Sequence, residues 1–123
     1  MDIIKRLIEL EEEANVFGFR WSHIEQILAQ IYSEYQEIIA DTNNHISPEK
    51  LQEEIGDLLH AVFSLCLFCK FDPEKTLASA INKFERRLNA VKQIAREQGI
   101  TSLEKYSFDE LMRFWQRAKD MVG

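Results

Sequence analysis

Residues that interrupt helices are scarce in this chain of 123 residues, which contains four glycines and two prolines. Alternation of polar and apolar residues, the pattern of a half-buried strand, is also missing. No internal repeat or low-complexity linker divides the sequence. Hydrophobic residues make up 46% of the chain, which is enough to form the core of one domain. The sequence therefore predicts a single all-α domain over residues 1–123.

Basic residues are in deficit: fifteen lysines and arginines stand against twenty-one acidic residues, for a net charge of −6. This deficit argues against nonspecific binding to nucleic acid or to an anionic membrane surface. The most hydrophobic stretch, residues 55–69, is shorter than the roughly 20 residues that a membrane span needs. Acidic residues occur among the first fifteen positions, where a signal peptide needs an apolar stretch. We therefore expect a cytoplasmic protein with neither nucleic acid nor membrane as a partner.

Cysteine is nearly absent, since Cys66 and Cys69 are the only two in the sequence. The second cysteine pair or neighbouring histidine that a zinc site requires is missing. We predict that both are reduced thiols in the hydrophobic core, where free cysteine behaves as a small apolar residue.

Signals for helix starts occur at four places. Ser-Pro at 47–48 and Asp-Pro at 72–73 put a capping residue directly before a proline in the first turn. Residues 22–25 (SHIE) and 107–110 (SFDE) match the capping box. Gly99 is positioned to end the fourth helix. The predicted helices cover residues 2–15, 23–41, 48–70, 73–98 and 108–121.

Two pairs of acidic residues border the predicted core. Glu34 and Glu37 lie one turn apart beside the apolar stripe of the second helix, and Glu54 and Asp57 do so in the third. A single pair is usually solvated surface, but antiparallel packing of these helices would gather four carboxylates, which requires a compensating cation. Oxygen ligands alone favour Mg²⁺ or Mn²⁺. A di-iron centre would need a Glu-x-x-His on each of two helices, so we interpret His60 as a partly buried polar group.

A basic pair, Lys83 and Arg87, lies one turn apart on the fourth predicted helix. Arginine can hold a phosphate through two parallel hydrogen bonds, and lysine acts on it as a point charge. The alternative is an exposed basic patch that pairs with Glu85 or with a neighbouring helix.

The acidic pairs belong to a longer pattern. SEYQE at 33–37, followed after sixteen residues by EIGD at 54–57, resembles the EExxE…ExxD signature of the all-α nucleoside triphosphate pyrophosphohydrolases. Across nearly the whole chain, the sequence is similar to the C-terminal catalytic domain of the MazG family, through the ordered segments ANVFGFRW, LQEEIGDLL, NKFERRL and FWQRAK. One position departs from the signature, because Ser33 replaces its first acid. On a helical wheel we place Ser33 away from Glu34 and Glu37, so we expect the ligand set to survive this loss.

The resemblance implies a reaction and a set of site residues. The reaction is hydrolysis of a nucleoside triphosphate to the monophosphate and pyrophosphate by water attack on the α-phosphorus. The implied Mg²⁺ ligands are Glu34, Glu37, Glu54 and Asp57. Lys83 and Arg87 would meet the triphosphate, and Trp115 and Lys119 would lie near the nucleotide. The expected catalytic residues are Glu37, as acceptor of the water's proton, with Glu34, Lys83 and Arg87. Trp115 has an alternative interpretation as a core residue.

The later half of the third helix, residues 61–69, is apolar on nearly every side. One side of a small monomer cannot cover such a helix, so we expect a homodimer, as the resemblance also implies. Two other functions remain open. One is a noncatalytic helical dimer, an adaptor or a nucleotide sensor that has lost turnover. The other is a related enzyme, a dimeric dUTPase or a phosphoribosyl-ATP pyrophosphohydrolase.

Overall fold

The computed structural model describes residues 2–123, which form five helices and no strand. The helices are α1 (Ile3–Phe17), α2 (Ile24–Asn43), α3 (Pro48–Phe68), α4 (Pro73–Glu97) and α5 (Phe108–Val122). The predicted all-α class is confirmed, and every helix boundary lies within two residues of its predicted position. Within the described range, none of the helices combines the length and the hydropathy that crossing a membrane would take.

Local side-chain caps explain most of these boundaries. The Ser47 hydroxyl accepts the Lys50 N–H at 3.2 Å, directly before the proline that begins α3. At the start of α5 the predicted capping box is complete, with Ser107 Oγ accepting the Glu110 N–H and Glu110 Oε1 accepting the Ser107 N–H. Gly99 follows α4 with φ of 71°, a left-handed conformation that glycine adopts without a steric penalty.

The capping box predicted at Ser22 is wrong. The N-cap of α2 is His23, and the carboxamide of Gln26, not the carboxylate of Glu25, reaches back to the backbone. Gln26 Oε1 accepts the N–H groups of Ser22 at 2.8 Å and His23 at 3.2 Å. The helix therefore starts one residue later than a Ser22 cap would place it, and the third helical position falls on glutamine.

The helices group into two compact units, one ending at Thr76 and the other beginning at Leu77. In the first unit, the short connection 44–47 turns the chain so that α2 and α3 pack against each other, and Ile27 of α2 is completely buried. In the second unit, α4 and α5 supply a core of Ile94, Ala95 and Phe114. Each unit thus buries apolar residues of its own.

The two cysteines are free, as predicted, but they are not core residues. Cys66 and Cys69 are both half-buried near the end of α3. The buried residues of this helix are Glu54, Ala61 and Ser64. The apolar stretch that contains the thiols therefore keeps part of its surface open to solvent.

Candidate functional site

The packing of α2 on α3 gathers carboxylates from both predicted acidic pairs. One carboxylate oxygen from each of Glu34, Glu54 and Asp57 lies within 4.8 Å of the other two. A Mg²⁺ ion with oxygens about 2.1 Å away holds neighbouring ligands about 3 Å apart and opposite ligands about 4.2 Å apart. Small side-chain rotations would therefore bring these three oxygens into one coordination sphere.

Two of these carboxylates are more buried than their predicted flank positions suggest. Glu54 is 6% exposed, and Glu34 is half-buried. Glu34 follows the fully buried Ile27 by seven residues, nearly two complete turns, so both side chains lie on the face of α2 that meets α3. A carboxylate on a packed face is unfavourable unless charge or hydrogen bonds compensate for its lost hydration.

Part of that compensation comes from within each helix. Gln30 Nε2 donates to Glu34 Oε1 at 2.7 Å, and Lys50 Nζ lies 3.1 Å from Glu54 Oε1. The lysine side chain is 51% exposed, so its ammonium group lies between the buried carboxylate and solvent. The sequence did not lead us to predict the roles of Gln30 and Lys50. Their signal was the spacing of four residues, which places side chains one turn apart on a helix.

The other oxygen of each buried acid is not compensated. While Glu37 is ionised, Glu34 Oε2 and Glu54 Oε2 are shielded from solvent and have no hydrogen-bond partner within residues 2–123. Such atoms in a carboxylate cluster are the donors that a hard divalent cation prefers, and no nitrogen or sulfur ligand lies in the cluster. The donor set therefore fits Mg²⁺ or Mn²⁺.

Glu37, the fourth predicted ligand, is exposed on α2 one turn after Glu34. A hydrogen bond shared with Glu54, together with repulsion from the charges of Glu34 and Glu54, raises the pKa of Glu37 from 4.5 to about 7. The same hydrogen bond and the one from Lys50 lower the pKa of Glu54. Without a cation, the cluster thus holds a proton on Glu37 that a solvated glutamate would have lost.

Our helical-wheel placement of Ser33 is wrong. α2 is continuous from Ile24 to Asn43, so Ser33 and Glu37 lie four residues apart and are neighbours on its surface. An acid at position 33 would stand beside Glu37. The serine therefore lowers the negative charge next to the cluster, while Glu34, Glu54 and Asp57 still converge.

The predicted phosphate and nucleotide contacts belong to the second unit. Arg87 of α4 is half-buried, donates from Nε to the Gly123 carbonyl at 2.9 Å, and places its guanidinium carbon 5.6 Å from the centroid of the Trp115 ring. Phe84 contacts the same indole, with ring centroids 5.9 Å apart. Lys83 is exposed and Lys119 is half-buried. Two of the four predicted contacts, Arg87 and Trp115, thus lie together.

His60 is not the partly buried group that we predicted, because its side chain is 62% exposed. Its Nε2 donates to Glu11 Oε1 at 3.0 Å, and Ser64 Oγ donates to the same oxygen at 2.6 Å. These contacts join α3 to α1 across about fifty positions of sequence, so no local pattern could have revealed them. His60 is also absent from the carboxylate cluster.

Comparisons with known proteins point to one domain family. Residues 22–92, which include all four predicted acidic ligands, match the MazG nucleotide pyrophosphohydrolase domain. The chain is 31% identical over 110 residues to the nucleoside triphosphate pyrophosphohydrolase/pyrophosphatase MazG of Thermotoga maritima, covering 89% of this chain and 41% of that protein. It is 32% identical over 109 residues to the nucleoside triphosphate pyrophosphohydrolase of Escherichia coli K12, covering 86% and 40%. The chain spans about two fifths of the length of these curated relatives.

Proposed function

Because the chain belongs to the MazG nucleotide pyrophosphohydrolase domain family, we propose that it hydrolyses nucleoside triphosphates to the monophosphate and pyrophosphate, with a divalent cation and as one catalytic domain over residues 1–123. The observation that carries the proposal is the convergence of Glu34, Glu54 and Asp57. Both relatives named above as pyrophosphohydrolases support it.

The cation that fits this donor set is Mg²⁺, with Mn²⁺ as the alternative. Glu34, Glu54 and Asp57 would hold it, and Glu37 would complete the set after losing its proton. A cation held there would neutralise part of the charge of the triphosphate and of the departing pyrophosphate. The protein's own contribution is a rigid pair of helices, which fixes carboxylates more precisely than a loop does.

Glu37 is our candidate for the general base. Glu37 is exposed beside the cluster, one turn after Glu34, and this position supports the role. Its pKa of about 7 is that of the metal-free protein, and a bound cation would lower it. In the proposed step, water oxygen bonds to the α-phosphorus as Glu37 accepts its proton. The bond from that phosphorus to the bridging oxygen of the β-phosphate breaks, and that oxygen leaves with pyrophosphate. The hydrogen bond from Gln30 orients the carboxylate of Glu34.

The proposed roles of Lys83, Arg87, Trp115 and Lys119 follow from the family resemblance. Lys83, being exposed, is available to a phosphate as a point charge. Arg87 uses Nε on the Gly123 carbonyl, which leaves its terminal amino groups available to a phosphate. Trp115 and Lys119 would contact the nucleotide.

We also propose a homodimer. Beyond their packed faces, α2 and α3 each present a second apolar stripe, of which Tyr32 on α2 and Leu59 on α3 are more than half exposed. The complete stripes are Leu28, Tyr32, Tyr35 and Ile39 on α2, and Ile55, Leu59 and Val62 on α3. Contiguous exposed apolar residues on neighbouring helices favour a protein partner, and a second copy is the simplest one.

The test is product analysis by chromatography after incubation of the protein with a panel of NTPs and dNTPs and Mg²⁺. Monophosphate and pyrophosphate should form in equal amounts with at least one substrate, and EDTA should stop their formation. Diphosphate with orthophosphate would place the attack on another phosphorus and would refute the mechanism. Activity confined to dUTP or phosphoribosyl-ATP would favour the related enzymes.

Nucleotide binding without turnover across the whole panel would favour the noncatalytic sensor. The observation that favours this alternative is that Ser33 occupies the position of the signature's first acid. The variant Ser33→Glu separates the two cases. Turnover that appears only in this variant would mean that the natural chain has lost catalysis at this position.

A further inference from the structure

We propose that Asp41 is a positioning residue of the cation site: when a divalent cation binds the carboxylate cluster, the ammonium group of Lys50 leaves Glu54 and pairs with Asp41. The inference rests on the proposed function, because it concerns the same cation site. It adds a carboxylate that lies outside the ExxE and ExxD pairs. Lys50 thus neutralises Glu54 in the metal-free protein and gives up that position to the cation.

Asp41 lies on the face of α2 that packs against α3. It follows Glu34 by seven residues, nearly two full turns, so the two side chains lie on the same side of the helix. Asp41 is half-buried, and its Oδ2 atom is shielded from solvent without a hydrogen-bond partner in the part of the chain that the structure describes. This acid also lies in the last turn of α2, where the helix dipole disfavours a negative charge. Helix stability and packing therefore both oppose a carboxylate at this position.

The side chain of Lys50, in the first turn of α3, is within the electrostatic reach of Asp41. A hydrogen bond to Glu54 is the largest cause of the raised pKa of Lys50, and the charge of Asp41 adds to it. The ion pair itself goes to Glu54 Oε1, at 3.1 Å. The Ser47 cap holds the backbone of Lys50, whereas the lysine side chain is 51% exposed and turns freely about its four-carbon stem. Lys50 can therefore change partners without movement of α3.

A bound cation would change which carboxylate holds the ammonium group more strongly. In the metal-free protein Glu54 is 6% exposed, and the charge of Lys50 compensates for its lost hydration. A divalent cation on Glu54 takes over this compensation and repels the ammonium group, because a single carboxylate would separate the two positive charges. Asp41 keeps its negative charge and its unpartnered oxygen. The exchange then gives each of the two carboxylates a positive partner of its own.

Binding of Mn²⁺, followed through the electron paramagnetic resonance signal of the free ion, tests the exchange without any substrate. Asp41→Asn removes the second acceptor, so the affinity for Mn²⁺ should fall roughly fivefold, the order of a partly exposed ion pair. Glu53→Gln removes the same charge from an exposed position beside Glu54 and should keep the wild-type affinity. Metal-free Asp41→Asn should melt at or above the wild-type temperature, because a shielded carboxylate without a partner is lost. A clearly lower melting temperature would mean that Asp41 is already paired, and would overturn the proposal.

A double-mutant cycle on the same Mn²⁺ affinity tests whether Asp41 acts through Lys50. In a Lys50→Met background no ammonium group needs a new partner, so adding Asp41→Asn should change the affinity by less than about twofold. An unchanged affinity in Asp41→Asn alone, or an equal loss in both backgrounds, would refute the exchange.

These measurements separate the exchange from the proposed function, because neither depends on turnover. Coupled binding of Mn²⁺ in a protein that releases no pyrophosphate from any nucleotide would support the exchange and refute the proposed function. Uncoupled binding in an active enzyme would refute the exchange and leave the proposed function intact.

Discussion

The carboxylates of Glu34 and Glu54 lie on a packed face between two helices, where each has one oxygen with a hydrogen-bond or ionic partner and one without. This arrangement is costly in the absence of a cation, because like charges and lost hydration oppose folding. The cluster therefore lowers the stability of the metal-free protein, as is expected of the cation site that we propose.

Replacing Asp57 by asparagine should remove a negative charge from the cluster. The metal-free variant is expected to be as stable as wild type or slightly more stable, because repulsion falls. Mg²⁺ at a hundredfold excess over Kd stabilises a native state by about 2.7 kcal/mol, and the variant should lose most of this gain together with most of its catalysis. Thermal melts in EDTA and in excess Mg²⁺ measure both effects. Glu53→Gln, at an exposed position on the same helix, is the control and should keep the full Mg²⁺ response.

The pKa of Glu37 predicts how stability depends on pH. Its folded-state pKa, about 7, lies above the unfolded value of 4.5, so the folded protein holds an extra proton between these two pH values. The metal-free protein should therefore become less stable as pH rises through this window. The pKa of Glu54 is lowered. The stability that its charge contributes is therefore present at neutral pH and is lost as pH falls below the ordinary carboxyl range.

Melting temperatures in EDTA at several pH values check this sign. Glu37→Gln should flatten the dependence, since its carboxamide does not titrate. Because Mg²⁺ must displace the proton shared by Glu37 and Glu54, wild-type affinity for Mg²⁺ should rise with pH up to about 7. If the metal-free protein instead gained stability between about pH 5 and about pH 7, the assignment of a raised pKa to Glu37 would be wrong.

Arg87 and Arg86 form a natural pair for a test of the phosphate contact. Arg87→Ala should lower kcat/KM by roughly thirtyfold, the equivalent of about 2 kcal/mol of transition-state stabilisation. Arg86 is exposed and lies 100° further round α4, so Arg86→Ala should change kcat/KM little. Because Arg87 also contacts Trp115 and the Gly123 carbonyl, melts must accompany the kinetics. Equal kinetic effects of the two substitutions would refute the role of Arg87.

Within one helix, residues of the same type can differ widely in burial. Phe108 and Phe114 both belong to α5, yet Phe108 is 71% exposed and Phe114 is 9% exposed. Phe114 packs with Ile94 and Ala95 of α4, and its ring meets Tyr106 edge-on at 5.7 Å. A helix of this kind owes its stability to one packed face, since isolated helices of this length are marginal in water.

Phe114→Ala should therefore destabilise the protein by about 3–5 kcal/mol, the usual cost of an aromatic cavity in a core. Phe108→Ala removes the same atoms from a solvent-exposed position and should cost well under about 1 kcal/mol. Urea denaturation of both variants measures the difference. Similar losses would mean that a partner covers Phe108, or that α5 packs through a different face.

For the whole molecule, the exposed stripes of α2 and α3 lead to a prediction about assembly. The purified chain, 14.5 kDa, should sediment with the mass of a dimer. Leu59 is 55% exposed at the centre of the α3 stripe, so Leu59→Glu should shift the equilibrium to monomer by placing a charge in the interface. Gln98→Glu adds the same charge at an exposed polar position and should leave the dimer intact. A monomeric wild-type protein at high concentration would refute the homodimer.

Features that depend on residues close together in the chain were predictable. Helix periodicity, prolines in first turns and capping residues act over three or four positions, so the five helices and most of their ends were predictable. The four acidic residues that we propose as ligands were also recognisable, because ExxE and ExxD spacings put carboxylates on one side of a helix. The resemblance to MazG rested on those same residues, and the match over residues 22–92 confirms it.

The burial and protonation of those residues depend on how the helices pack against one another. Burial of Glu54, exposure of Glu37 and the proton between them depend on the approach of α2 to α3, which no local spacing specifies. Glu11 meets Ser64 across fifty-three positions and closes one side of a cavity that the sequence does not indicate. The physical reason is that dehydration, charge repulsion and cavity shape depend on distances between helices, whereas helix formation depends on the order of residues within each one.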